Sequence, residues 1–209
     1  MAKSENARTL VATPLAPQKL AHVVLRVNDF EAAKDWFCRV LNAQVVFGNK
    51  MVAFLTYDEE HHRVALLNTP GLPTGDRTTT GLEHVAFTYA SLGDLLSTYV
   101  RLKGEGVTPN WCINHGPTTS IYYPAPGGAN VELQVENFDT LEDLMTWFAT
   151  GAFTHNPSSD AFDSKRFARE AIGVEFDPDE LVRLYLAGES EVDLKRQGAA
   201  AREPAEHGL

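Results

Sequence analysis

The 209-residue sequence predicts an α+β fold in which two βαβββ modules pair into a half-closed barrel, followed by a C-terminal helical extension. Three observations carry this expectation. A strand, a helix and three further strands follow one another twice between Leu20 and Glu136. Each opening strand places a histidine ahead of an apolar run, His22 before VVL and His84 before VAF. After residue 137 the pattern changes to helical periodicity. Open sheets from repeated units of this kind can join edge to edge around a cleft, with equivalent positions of the two units facing each other across it.

The first module is assigned to residues 19–70. LAHVVLRV is β-branched and reads as a strand, and Asn28-Asp29 supplies a helix cap. Ala33, Trp36, Phe37, Val40 and Leu41 then recur at the spacing of one helix face. AQVVF, MVAFLTY and HHRVALLN are three short strands, separated by Gly48-Asn49 and by Asp58-Glu59-Glu60. TPGLPTGDRTTTG is a polar link. The second module, 81–137, repeats the order: GLEHVAFTYA is a strand, and Ser91 with Asp94 forms a capping box. Leu92, Leu95, Leu96, Tyr99 and Leu102 line a helix that ends near Gly104, and VTPNWCINH, TSIYYPA and NVELQVE are strands.

Residues 1–18 read as an extended arm and 138–209 as the extension and tail. In the latter, LEDLMTWFATG is an amphipathic helix. EFDPDELVRLYLAGE is a second one, with Asp177 as cap, Pro178 at its first position and Gly188 as stop. THNPSSDAFDSKRF between them has little periodicity, and the chain beyond Glu189 reads as a frayed tail. The two helices are expected to pack on the outside of the barrel or at a subunit interface, with a lid over the cleft as the functional alternative. A homo-oligomer is expected.

Composition removes several classes of function. A net charge of −10 leaves no basic stripe to displace counterions from phosphates, so nucleic acid is not an expected partner. No apolar run has the length of a membrane span or signal core, and a cytoplasmic protein is expected. The only two cysteines, Cys38 and Cys112, lie far apart in no metal-binding spacing and read as reduced, buried thiols.

The chemistry concentrates in INHGPTTSIYYPAPGGANVELQVE, residues 113–136. Glu132 alternates with Val131 and Leu133 inside an apolar strand, and a carboxylate on a buried face is costly unless it is paired or bound to a metal. The two modules with His22, His84 and Glu132 resemble the vicinal oxygen chelate superfamily over residues 19–137. Within it, His115, Ile121-Tyr122, Ala125-Pro126-Gly127-Gly128 and Glu132 are spaced like the motif of single-domain type I extradiol catechol dioxygenases. Ala125 departs from the pattern, since an acidic residue often stands there.

The resemblance implies an Fe(II)-dependent enzyme that opens a catecholic ring with dioxygen, with His22, His84 and Glu132 as the two-histidine, one-carboxylate ligand set. His61-His62-Arg63-Val64-Ala65-Leu66 resembles the strand bearing the family's acid/base histidine, with His62 at the matching place. Period-two alternation sets His62 with Val64 and Leu66, and His61 with Arg63 and Ala65; His62 is taken as the inward one. The pattern assigns His115 and Tyr122 to the cleft as donors near the substrate oxygens, with Tyr123 facing away. Phe87, Trp111 and parts of the extension are candidate walls.

The same fold hosts non-redox metal-dependent epimerases, glyoxalase-like enzymes and metal-free small-molecule binding modules. Glyoxalase-type sites resemble one another in taking a fourth ligand from the last strand of the first module. HHRVALLNT, residues 61–69, offers no Glu, Asp or Gln there, which favours oxygen chemistry.

Overall fold

A computed structural model describes residues 14–75, 80–151 and 173–200. Most of the arm expected over 1–18, the non-periodic stretch after residue 153 and the C-terminal REPAEHGL lie outside the described residues. The first module comprises β1 (Val23–Val27), α1 (Phe30–Leu41), β2 (Gln44–Gly48), β3 (Val52–Thr56) and β4 (Val64–Asn68). Asp29 caps α1 by accepting the Ala32 N–H, and Asn42, at φ 49°, turns the chain out of it. The sheet order is β1-β4-β3-β2, with β1 parallel to β4 and the rest antiparallel.

Alternation decides which side of this sheet is covered. Leu25, Val27, Ala53, Leu55, Val64 and Leu66 share the helix side and cluster with Ala33, Phe37 and Val40 of α1. Val24, Ala65 and Phe54 point to the other side, in register across β1, β4 and β3.

The second module comprises β5 (His84–Thr88), α2 (Leu92–Gly104), β6 (Trp111–Asn114), β7 (Thr118–Pro124) and β8 (Asn130–Glu136). Its order, β5-β8-β7-β6, repeats that of the first sheet and gains an outer strand, β9 (Val174–Glu175). Ser91 caps α2 from the Asp94 N–H. Leu92, Leu95, Leu96, Tyr99 and Leu102 pack over Ile121, Tyr123, Val131 and Leu133. Burying side chains of this size is worth about 1.5–3 kcal/mol each, which makes this layer the rigid backing of the sheet. Neither sheet closes on itself.

The turn Pro126-Gly127-Gly128 lies where the modules meet. Gly127 (φ 104°) and Gly128 (φ 98°) adopt backbone that glycine favours. A Cβ on Gly127 would lie 3.0 Å from the Arg26 carbonyl oxygen, and one on Gly128 would lie 2.3 Å from that of Gly75. The β7–β8 hairpin can thus approach the backbone of β1 only without side chains here. Tyr57 meets Phe87 edge-on at 5.9 Å between ring centres and makes a second junction.

The extension contains α3 (Leu141–Ala149), α4 (Pro178–Leu186) and α5 (Glu191–Ala200) besides β9. Asp177 caps α4 by accepting from the Asp179 N–H, and Pro178 opens it. Asp179 bonds the Lys103 ammonium and the Tyr99 hydroxyl of α2. One sequence expectation is corrected. The chain beyond Glu189 is not frayed at once: residues 191–200 form α5, held by burial of Leu194 and by packing on α2 and β6, which local composition does not report. On α3, Leu141 is 72% and Met145 56% exposed within the chain.

Candidate active site on the open sheet faces

Register places Ala86, Glu132, Tyr122 and Trp111 side by side across β5, β8, β7 and β6. All four therefore point to the face of the second sheet away from α2, as do His84 and Ser120 by alternation. Val85, Phe87, Val131, Leu133, Ile121 and Tyr123 occupy the helix side. Tyr123 thus faces away from Glu132, as alternation predicts. Phe87, a candidate cleft wall in the sequence, belongs to the helix side, because it pairs with Leu133.

Glu132 is the hub of this face. Its Oε2 lies 3.1 Å from His84 Nε2. The residue is 4% exposed. Burial pushes the carboxyl pKa up, but hydrogen bonds from His84, Ser120 and Tyr122, with the attraction of His84, more than offset it and hold the group below its ordinary value. Tyr122 is shifted the other way: burial, then the neighbouring Glu132 charge and its hydrogen bond, keep the phenol protonated far above its ordinary pKa. The Tyr122 hydroxyl lies 2.9 Å from His115 Nε2. The direction of that bond is set by the His115 tautomer. Trp111 stacks at a tilt on Tyr122, 4.9 Å between centres, and meets His115 edge-on at 5.6 Å. Its indole N–H donates to Glu175 of β9 at 2.7 Å. Ser120, fully buried, was not picked out in the sequence; its place two residues before Tyr122 on one strand was the available signal.

A second group of side chains stands on the first sheet. His22 and His62 have ring centres 4.3 Å apart, and His62 stacks on Phe54 at 4.3 Å with the rings 10° from parallel. His62 is buried and His61 exposed, their Nδ1 atoms 2.6 Å apart. Burial, followed by the proximity of His22 and His61, lowers the pKa of His62 and favours the neutral imidazole. The alternation argument needs correction here. Val64 and Leu66 face α1, whereas the His62 ring lies with Phe54 on the open side, because β4 begins only at Val64 and the chain turns through residues 61–63.

The structure thus brings His84, Glu132, Tyr122 and His115 together in one group and His22 with His62 in another. Among the described residues, no three His, Cys, Asp or Glu side chains are placed to hold a metal ion. In donor chemistry the imidazole of His84 and the ionised Glu132 suit a divalent metal of the first transition row. His22, the third expected ligand, contacts His62 instead.

Comparison with known proteins agrees with this architecture. Residues 19–133 match the model of the glyoxalase/bleomycin resistance protein/dioxygenase superfamily, and the chain belongs to that family. Biphenyl-2,3-diol 1,2-dioxygenase 2 of Rhodococcus globerulus is 44% identical over 155 residues, 74% of this chain and 80% of that protein. Biphenyl-2,3-diol 1,2-dioxygenase 3 of the same organism is 40% identical over 186 residues, 88% of this chain and 90% of that one. The second match is longer than the two modules and so includes part of the extension. Among solved structures, a glyoxylase/bleomycin resistance protein/dioxygenase domain from Frankia sp. EAN1pec shares the fold, with a TM-score of 0.51 at 19% identity over 60% of this chain and 96% of that domain. No described helix is long and apolar enough to cross a membrane.

Proposed function

We propose that this protein is an Fe(II)-dependent extradiol dioxygenase, which opens a catecholic ring beside its two hydroxyls with dioxygen. The observation that carries the reading is the buried, ionised Glu132 aligned with His84, Tyr122 and His115 on one open sheet face; the relatives named as biphenyl-2,3-diol dioxygenases supply the substrate class. His84 and Glu132, with His22 completing the set, would hold the ion. Bound there, Fe(II) supplies the oxygen chemistry and acidifies the catechol hydroxyls.

The remaining steps belong to the chain itself. His62, kept neutral by its burial, accepts the proton of a substrate hydroxyl and returns it later as an acid. For that, His62 must hold its own proton on Nδ1 and donate it to His61 Nδ1, which leaves Nε2 free to accept. With substrate bound, His115 and Tyr122 would turn their N–H and O–H from each other and from Glu132 to the substrate oxygens, orienting them and stabilising charge on them as donors. Trp111, Tyr122 and Phe54 give the site apolar surface suited to an aromatic ring.

The test is oxygen uptake by the Fe(II)-loaded protein across catechol, alkyl catechols and 2,3-dihydroxybiphenyl, with coloured ring-opened acids as products. Uptake with at least one of them is expected. Metal binding with no oxygen uptake across the series would refute the dioxygenase reading in favour of non-redox chemistry.

A further inference from the structure

The turn that carries His115 is tied down by three buried polar side chains that take no part in the site itself. Asn114, Thr119 and Asn137 are 5%, 2% and 3% exposed and lie behind the sheet, among the residues facing the helices. Their hydrogen bonds form a closed ring. Asn114 Nδ2 donates to Thr119 Oγ1 at 3.1 Å, Thr119 Oγ1 donates to Asn137 Oδ1 at 2.8 Å, and Asn137 Nδ2 donates back to Asn114 Oδ1 at 3.1 Å. The spare capacity of the ring goes to the turn. Asn114 Oδ1 also accepts the Gly116 N–H at 2.9 Å, and Asn137 Nδ2 also donates to the Gly116 carbonyl at 2.8 Å. The Asn137 N–H reaches the Pro117 carbonyl at 2.8 Å.

His115 stands between Asn114 and Gly116, so both neighbours of the residue are fixed from behind while its ring reaches Tyr122 in front. The extension joins the same ring. The second Nδ2 proton of Asn114 goes to the Lys195 carbonyl of α5 at 2.7 Å. Trp147 of α3 covers Gly116, where a Cβ would come within 2.3 Å of the indole. Gly116 has φ 95°, a conformation that side-chain-bearing residues rarely adopt. A buried polar network whose groups are all satisfied costs little and specifies one geometry, whereas a half-satisfied one is costly. Core packing alone would be served as well by apolar side chains at these three places.

We propose that Asn114, Thr119 and Asn137 are the positioning residues of His115, and that α5 is built into this device through the Lys195 carbonyl. The inference rests on the dioxygenase reading for what His115 does, but not for how it is held. It gives the C-terminal extension a role distinct from lid or subunit interface: it braces one donor of the site from the far side of the sheet. Misplacing a reacting group by about 1 Å can cost about 10²-fold, so a ring that only removes looseness has a measurable effect on rate.

The test uses an isosteric pair in the full-length Fe(II)-loaded protein. Thr119→Val keeps the shape and breaks two links of the ring, while Thr119→Ser keeps the hydroxyl. Thr119→Val should lower kcat about tenfold or more, with little change in KM or iron content, and Thr119→Ser should restore the rate. In a His115→Ala background Thr119→Val should add no further loss, because there is no ring left to position. A separate readout needs no catalysis: in iron-free protein, the ring C–H NMR signals of His115 should shift or broaden in Thr119→Val and return to their wild-type positions in Thr119→Ser. Should Thr119→Val fail to fold, Asn137→Asp, which keeps the acceptor for Thr119 and loses both donors, serves in the same comparisons. Losses that are equal in both backgrounds, or an unchanged His115 signal, would overturn the inference. A wild-type protein without oxygen uptake but with the signal behaving as described would overturn the function and leave the positioning role standing.

Discussion

Replacing the adjacent residues His61 and His62 one at a time separates two side chains that share a hydrogen bond yet differ in everything else. His62 is 7% exposed, stacked on Phe54 and tilted against His22, while His61 is exposed and bonded to it. If His62 moves the substrate proton, His62→Ala removes a positioned acid/base, worth about 10²–10⁴ in turnover. His61→Ala removes one neutral hydrogen bond from His62. Such a bond is worth about 0.5–1.5 kcal/mol, so even if all of it were lost from the transition state the rate would fall by about tenfold at most. The two variants should therefore differ by at least about tenfold in kcat, the more damaging being His62→Ala. The assay is the initial rate of ring-opened product from 2,3-dihydroxybiphenyl, with iron content and melting temperature measured on the same samples. Equal losses, or a greater loss from His61→Ala, would refute the assignment of the proton to His62. So would a His62→Ala rate loss that tracks iron content, since that would make the residue a support for His22, a proposed ligand.

Three further outcomes are expected. His22→Ala, His84→Ala and Glu132→Ala should each abolish most Fe(II) binding by anaerobically prepared protein, measured by metal analysis; full occupancy in all three would remove the proposed ligand set. Cys112 has its thiol pKa pushed up to about 12 by burial and then by Asp177 and Glu175, so it should react with a disulfide reagent at neutral pH only on unfolding; a fast native-state reaction at Cys112 would contradict its placement. Asp179 is held below the ordinary carboxylate pKa by its bonds to Lys103 and Tyr99, so the stability it adds should be complete above that ordinary range and disappear as pH falls through its lowered value. Acid unfolding of wild type and Asp179→Asn should accordingly converge at low pH, and a gap that widens on acidification would reverse the sign.

Much of the fold follows from short-range rules that the sequence states directly. Asp29, Ser91 and Asp177 cap their helices because each needs only the N–H groups of the next turn. The shared face of Glu132 and Tyr122, opposite Tyr123, follows from the period of two inside strands that the chain really forms. Where an element ends is set by competition among distant contacts, and there local reading falls short. His62 lies outside β4, so the period of that strand does not govern it, and its ring goes where Phe54 offers a stacking surface and His22 a tilted ring contact. The helix α5 has few apolar residues to announce it; burial of Leu194 and the bond from Asn114 make it worth forming, and both partners are remote in sequence.

The same division holds for the glycines and for the site. Pro126-Gly127-Gly128 is visible as a turn, but that it must be bare because β1 passes 3.0 Å from where a Cβ would stand is a fact of module pairing. By itself the sequence determined the residue types, the repeated module and which residues within a strand share a face, since these depend on neighbours a few positions away. Tertiary structure alone decided that His84 and Glu132 stand 3.1 Å apart while His22 lies tilted against His62, and that Asn114, Thr119 and Asn137 close into one ring behind His115. Such contacts join strands far apart in the chain, and their geometry is fixed only when the sheets have packed.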